Sequence, residues 1–223
     1  MGVRNGRPWT LDELGPHDHA CLIYRWQEEK MAALVPYFQA GLERNEKCLY
    51  VGPPKAADAL WNALEKAGMP VSRAVDKGQL ENLAAEEVYL EGGRFVPELT
   101  VALYRNTVEE ARAQGYAAVR ASADTAWVLG GKVDMVDLTG YESMVNRLFH
   151  DSALGAICEY DYSLFPPEVL VKLICTHPLV IFGGKAHWNP FYIPPDEYLR
   201  PCDPSVELAR MLSVLSKAWR QEG

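Results

Sequence analysis

One junction constrains this fold more than any other stretch. Residues 47–62 run Lys-Cys-Leu-Tyr-Val-Gly and then Pro-Pro-Lys-Ala-Ala-Asp-Ala-Leu-Trp-Asn. An apolar run, a tight turn and a helical pattern follow in that order, which is where nucleotide-binding α/β domains place a phosphate loop. Such a loop needs glycines, so that backbone N–H groups face the phosphates, and a Lys-Ser/Thr pair for charge and Mg²⁺. Here Gly52 is followed by Pro53 and Pro54, and each proline removes a donor and fixes φ. Lys55 is followed by Ala56, so no hydroxyl stands at the Mg²⁺ position. The junction predicts an α/β scaffold with a degenerate phosphate loop, and binding or sensing rather than ATP hydrolysis.

The rest of the chain alternates in the same way. Strands are predicted at His19–Tyr24, Lys47–Val51, Tyr116–Ala123, Ala156–Tyr162 and Leu179–Phe182, the last ended by Gly183 and Gly184. Helices are predicted at Glu28–Arg44, where Met31, Leu34, Val35, Phe38 and Leu42 recur at helical spacing, and at Ala56–Ala67, Phe95–Gln114, Glu168–Thr176 and Thr139–Phe149, with Thr139 as cap. Leu80–Val88 fits either state. Strands and helices at these spacings suit βαβ units and a mostly parallel sheet. Residues 1–16 read as a loose arm, 17–200 as one domain and 201–223 as a C-terminal amphipathic helix carrying Leu208, Met211, Leu212, Leu215 and Trp219. That helix either packs on the domain or couples it to an output module or a second subunit, as in a homodimer.

Composition excludes several classes. A formal net charge of -8 argues against direct binding of nucleic acid or anionic membrane, since both need clustered Lys and Arg. No run approaches the length of a membrane span, and Arg4 and Arg7 are followed by no apolar segment of a secretory signal. A cytoplasmic location is expected. Cys21, Cys48, Cys158, Cys175 and Cys202 are scattered without a CxxC, so no disulfide framework is expected.

Four polar clusters fall at predicted strand or helix ends, where open α/β sheets bind ligands. Asp124 and Trp127 follow the strand through Val119; Asp124 reads as a functional carboxylate or a loop residue, and Trp127 as a pocket wall or core. Glu142 lies one turn into its predicted helix, where it reads equally as a surface charge favoured by the dipole. Glu159 and Asp161 alternate with Tyr160 and Tyr162, which suits acid–base work or a solvated edge. Cys175 and His177 precede Pro178 at a helix-to-strand corner. His17, His19 and Cys21 recur every second residue, and with Cys175 and His177 they offer soft N/S donors for a metal, although the spacing is not that of a zinc motif.

Residues quoted in order carry a resemblance: His19-Ala-Cys-x-x-Tyr24; Gly41 to Val51; Tyr89-Leu90-x-Gly92-Gly93-Arg94-Phe95; Arg120-x-x-x-Asp124-x-x-Trp127; Tyr141-Glu142-x-x-x-Asn146-x-Leu148-Phe149; Cys158-x-Tyr160-Asp161; and His177-Pro178-Leu179-Val180 with Asn189-Pro190-Phe191-Tyr192. Over roughly residues 17–197 the chain resembles the MEDS domain, the methanogen/methylotroph sensory domain. The resemblance implies a three-layer RecA/KaiC-like fold without a working phosphate loop. It also implies detection of small hydrocarbon derivatives, and attachment to DNA-binding, histidine-kinase or anti-sigma ATPase modules. Asp124 stands where the family pattern more often carries Glu.

The leading expectation is therefore a sensory, signal-transducing domain that binds a small, largely apolar ligand and relays it to a regulatory partner. Tyr24, Trp127, Tyr160 and Trp188 would wall the pocket, and His19, Asp124, Glu142 and His177 would orient the ligand. No catalytic residue and no cofactor is expected. The alternatives are a metal- or haem-dependent redox sensor using His19, Cys21 and His177, and an enzyme with Asp124 and Glu142 as acid and base.

Overall fold

Period-two alternation along the apolar runs decides which face of the sheet each side chain meets, and hence which helices cover it. The computed structural model describes residues 8–90, 93–131, 133–200 and 204–221. In chain order the elements are β1 (His19–Tyr24), α1 (Gln27–Glu43), β2 (Lys47–Val51), α2 (Pro54–Lys66), α3 (Val71–Asp76), β3 (Leu80–Leu83), α4 (Ala85–Tyr89), α5 (Pro97–Ala113) and β4 (Val119–Asp124). They continue with α6 (Met135–Met144), α7 (Asn146–Asp151), β5 (Leu154–Asp161), α8 (Pro167–Thr176), β6 (Leu179–Phe182), β7 (Lys185–Trp188), α9 (Pro195–Tyr198) and α10 (Pro204–Gln221). Arg4, Arg7, Gly92, Cys202 and the side chains of Leu215 and Trp219 lie outside the described residues.

The seven strands form one sheet in the order β3-β2-β4-β5-β1-β6-β7. All pairs are parallel except β6 with β7. On one face Ala20, Leu22, Cys48, Tyr50 and Ile157 pack against Leu34, Phe38, Leu60, Leu64 and Val71 of α1, α2 and α3. On the other, Leu49, Val51, Ala121, Ala123 and Leu154 meet Tyr89, Tyr104, Tyr141 and Leu148 of α4 to α7, while Cys21, Cys158 and Tyr160 meet Val169, Leu170 and Leu173 of α8. Helices therefore cover both faces of a mostly parallel sheet. β1 leads to α1 on the first face, and its neighbour β5 leads to α8 on the second. Their shared carboxyl end is a topological switch point, the usual place for a ligand in such sheets.

Several boundaries depart from expectation for identifiable reasons. Residues 8–16 are not a loose arm: Trp9 bridges to Ala186, and Trp9, Leu11 and Leu14 are buried in the first core. Leu80–Val88 is both states in turn, an edge strand and then α4. Thr139 caps nothing. α6 begins earlier, where Asp134 Oδ1 accepts the Val136 N–H, and the predicted single helix ends at Met144. Gly183 and Gly184, with φ of 57° and 72°, do not stop the sheet but turn β6 into β7, since positive φ at both positions suits a two-residue hairpin. Among the described residues, no helix is long and apolar enough to cross a membrane. Val206, Leu208, Met211 and Leu212 of α10 are exposed.

Candidate functional site

The expected pocket residues separate into two buried polar clusters and an aromatic wall. The first cluster lies at the switch point. Lys30 occupies the first turn of α1 on the stripe that continues through Ala33, Leu34, Tyr37 and Phe38, so α1 must bury it. Its ammonium lies 2.6 Å from Glu159 Oε2 and 3.0 Å from Asp124 Oδ2, and donates to the Tyr50 hydroxyl at 3.1 Å. The contact with Glu159 is an ion pair; the hydrogen bond to Glu159 comes from Ser122, whose hydroxyl donates to Oε1 at 2.6 Å. The rings of Tyr24 and Tyr50 flank the ammonium at 5.4 and 5.6 Å. Burial pushes Lys30 down, but Glu159, Tyr50 and Asp124 outweigh it and hold it protonated above its usual range. Burial lifts the Glu159 carboxyl above its usual range despite Lys30.

Tyr24 and Asp124 thus belong to an internal ion network. Glu159, expected at a solvated edge, is buried there, because β5 has neighbours on both sides and helices over both faces. Lys30 is the residue that sequence reasoning missed, and the signal was a lone cation on an apolar helical stripe.

The second cluster lies under the opposite face. His19 opens β1, Glu142 projects from α6, Cys158 comes from β5 and His177 ends α8. All four are buried, and one donor atom from each lies within 4.8 Å of the others. Glu142 Oε2 is 3.5 Å from both His19 Nε2 and His177 Nε2, and 3.7 Å from Cys158 Sγ. His19 Nε2 is 3.4 Å from Cys158 Sγ. The Tyr160 hydroxyl donates to Glu142 Oε1 at 2.8 Å. Glu142 is therefore no surface charge at a helix start. It sits in the second half of α6, turned into the core.

Outer partners fix both imidazoles. The Asn146 amide donates to the Glu142, Ser143 and Thr176 carbonyls, so its oxygen must accept from His19 Nδ1, 2.9 Å away. His177 Nδ1 lies 2.7 Å from the Leu173 carbonyl, which only accepts. Burial, and then the neighbouring His19, hold His177 down to about 3, so the ring is neutral. Burial pushes Glu142 up, but His19, His177 and Tyr160 outweigh it and keep the carboxyl below its usual range. Burial, with Glu142 adding, pushes the Cys158 thiol well up.

The metal set expected from sequence is thus altered. His19 and His177 meet, but Cys21 packs in the α8 core while its β5 register partner Cys158 joins them. His17 instead contacts the Phe149 carbonyl at 2.9 Å. Cys175 is half-buried, outside the group. Asp124 and Glu142, proposed as an acid–base pair, belong to different clusters.

A cavity of about 20 Å³ adjoins the second cluster. His19, Glu142 and Cys158 line one side, and Tyr89, Tyr104, Tyr141, Phe149, Ala121 and Ala123 are among the rest. Trp127 backs this wall, stacked on Tyr89 with centroids 4.5 Å apart. Trp188 walls nothing: it lies on edge strand β7 and is exposed. A groove of about 250 Å³ between α4 and α5, lined by Glu87, Val88, Val96, Leu99, Thr100 and Leu103, shares Tyr89 with the cavity.

No curated protein matches the chain. Residues 18–178 match the family model for the methanogen/methylotroph, DcmR sensory domain. That span covers most of the sheet and both clusters, and the chain belongs to the MEDS family of sensory domains.

Proposed function

We propose that this domain senses a small, largely apolar molecule of one or two carbons, a hydrocarbon derivative, in the cavity beside His19, Glu142 and Cys158. The observation that carries the reading is the cavity's composition: a few polar atoms on one side, aromatic and alanine side chains on the other, the usual make-up of a small-ligand site. Its volume, about 20 Å³, admits little more than a water-sized guest. A larger guest must push the tyrosine wall outward. Tyr89, Tyr104 and Tyr141 stand on α4, α5 and α6, so occupancy would bias the positions of three helices. Tyr89, shared with the outer groove, is the natural point of access.

The Lys30 network supports binding of something other than nucleotide. Lys30 stands in the first turn of α1, a helix N-terminus of the kind that binds phosphate, but Glu159 and Asp124 already neutralise it from within. Relay to a regulatory partner, whether a kinase, an anti-sigma ATPase, a DNA-binding module or a second copy, is assigned to α10, whose Val206, Leu208, Met211 and Leu212 are exposed. The role is binding without turnover.

Titration with one- and two-carbon halides, alcohols and thiols tests this reading, read by tryptophan fluorescence with Trp127→Phe to identify the reporter. Saturable quenching that disappears in the cavity-filling variant Ala121→Leu is expected. An unchanged response in a folded Ala121→Leu protein would place the ligand elsewhere.

A further inference from the structure

Four buried side chains turn electron pairs toward one point. Both imidazoles spend their Nδ1 protons on outer acceptors, Asn146 Oδ1 and the Leu173 carbonyl. His177 Nε2 has no hydrogen-bond partner although it is fully buried, and His19 Nε2 faces Glu142 Oε2 at 3.5 Å and Cys158 Sγ at 3.4 Å. Glu142 Oε2 is a carboxylate oxygen, its sister atom being held by Tyr160. A buried polar atom without a partner is costly, and a cation at the common centre of these four donor atoms would satisfy it.

We propose that His19 Nε2, His177 Nε2, Glu142 Oε2 and Cys158 Sγ bind one divalent transition-metal ion of borderline softness, with zinc the best match. Bonds of about 2.0–2.3 Å in a tetrahedron give ligand–ligand edges of about 3.3–3.8 Å. Four of the six donor–donor separations, 3.4, 3.5, 3.5 and 3.7 Å, fall in that range, and the other two are within 4.8 Å, so a small closure of His177 completes the tetrahedron. Charge also balances: one carboxylate and one thiolate neutralise a 2+ ion, as a fully buried centre requires. The thiol proton leaves to solvent when the ion binds. Asn146, the Leu173 carbonyl and Tyr160 form the outer shell that fixes ligand orientation.

A single ion fits where haem does not. The His19 and His177 rings lie 4.2 Å apart, whereas axial imidazoles stand on opposite sides of a macrocycle. The proposal deepens the sensing reading, since three of the four ligands line the same cavity and the ion would face the guest.

The test uses the full chain without a histidine tag, expressed with added zinc and dialysed into metal-free buffer. Elemental analysis is expected to find about one zinc per chain. Cobalt exchange should give visible d–d bands and a near-ultraviolet thiolate charge-transfer band. Cys158→Ser should lose the charge-transfer band and bind at least about tenfold more weakly, and Asn146→Ala should weaken binding about 10–100-fold, with circular dichroism confirming folding. A folded chain that is metal-free and takes up no cobalt overturns the proposal. So does metal retained equally by Cys158→Ser and His177→Ala. A metal-free protein whose fluorescence still follows the one-carbon panel would remove the ion and leave the sensing site. A loaded protein deaf to the panel would do the reverse.

Discussion

Replacing Lys30 by Met isolates the energetics of the switch-point network. The methionine keeps most of the side chain's volume but deletes a charge lying 2.6 Å from Glu159 and 3.0 Å from Asp124. Glu159 is buried, so it cannot recruit water in place of Lys30. Breaking one partner of a buried ion pair destabilises by about 3–5 kcal/mol, and Lys30→Met should lie in that range by urea denaturation at neutral pH. The pH dependence has a definite sign. Burial already holds Glu159 above its usual range, and loss of Lys30 raises it further. The native variant then keeps a proton that the unfolded chain releases near about pH 4.3. Stability is gained at low pH and lost, at about 1.4 kcal/mol per unit, as pH rises toward the raised value. The deficit of Lys30→Met should therefore shrink between pH 7.5 and 5.5. Adding Glu159→Gln removes the unpaired charge and should recover more than half of the loss. A deficit under about 1 kcal/mol, unchanged by pH and not rescued by Glu159→Gln, would refute the reasoning.

Three further outcomes are expected. Gly41→Ala places a Cβ 2.6 Å from Arg120 Cδ and 2.8 Å from Cys48 Sγ, and since Arg120 is itself held by Glu46 at 2.5 Å, chemical denaturation should show a loss of about 1–3 kcal/mol. Cys48, lifted to about 12 by burial, should resist iodoacetamide in the native protein at pH 8, while half-buried Cys175 reacts ahead of it in peptide mapping. Removing residues 204–223 exposes little core, because Val206, Leu208, Met211 and Leu212 are already exposed; thermal unfolding should shift by under about 4 °C, with any response to the small-molecule panel retained.

Local pattern carried the elements, and long-range pairing carried the site. β1, β2 and β6 end where their apolar runs end, because turn residues punctuate them. A helix start at Thr139 puts Glu142 in a first turn, where a surface charge and a functional carboxylate read alike; the cap is Asp134, and Glu142 falls on a buried face. Cys158 stands in an apolar run, but its meeting with His19 depends on β5 lying beside β1, a pairing across more than 130 residues that no local spacing encodes. The same holds for Glu159 with Lys30. The N-terminal arm looked polar because Trp9, Leu11 and Leu14 are isolated in sequence, and only the fold gathers them against α1 and β7.

The central claim is that the guest sits between the tyrosine wall and the His19–Glu142–Cys158 side. Anomalous diffraction from crystals of the full chain exposed to bromoethane tests it most directly. The account predicts a bromine peak enclosed by Tyr104, Ala121 and Cys158, with Tyr89 or Tyr141 displaced. A peak confined to the α4–α5 groove or to the Gly52–Lys55 turn, with the cavity walls unmoved, would contradict it.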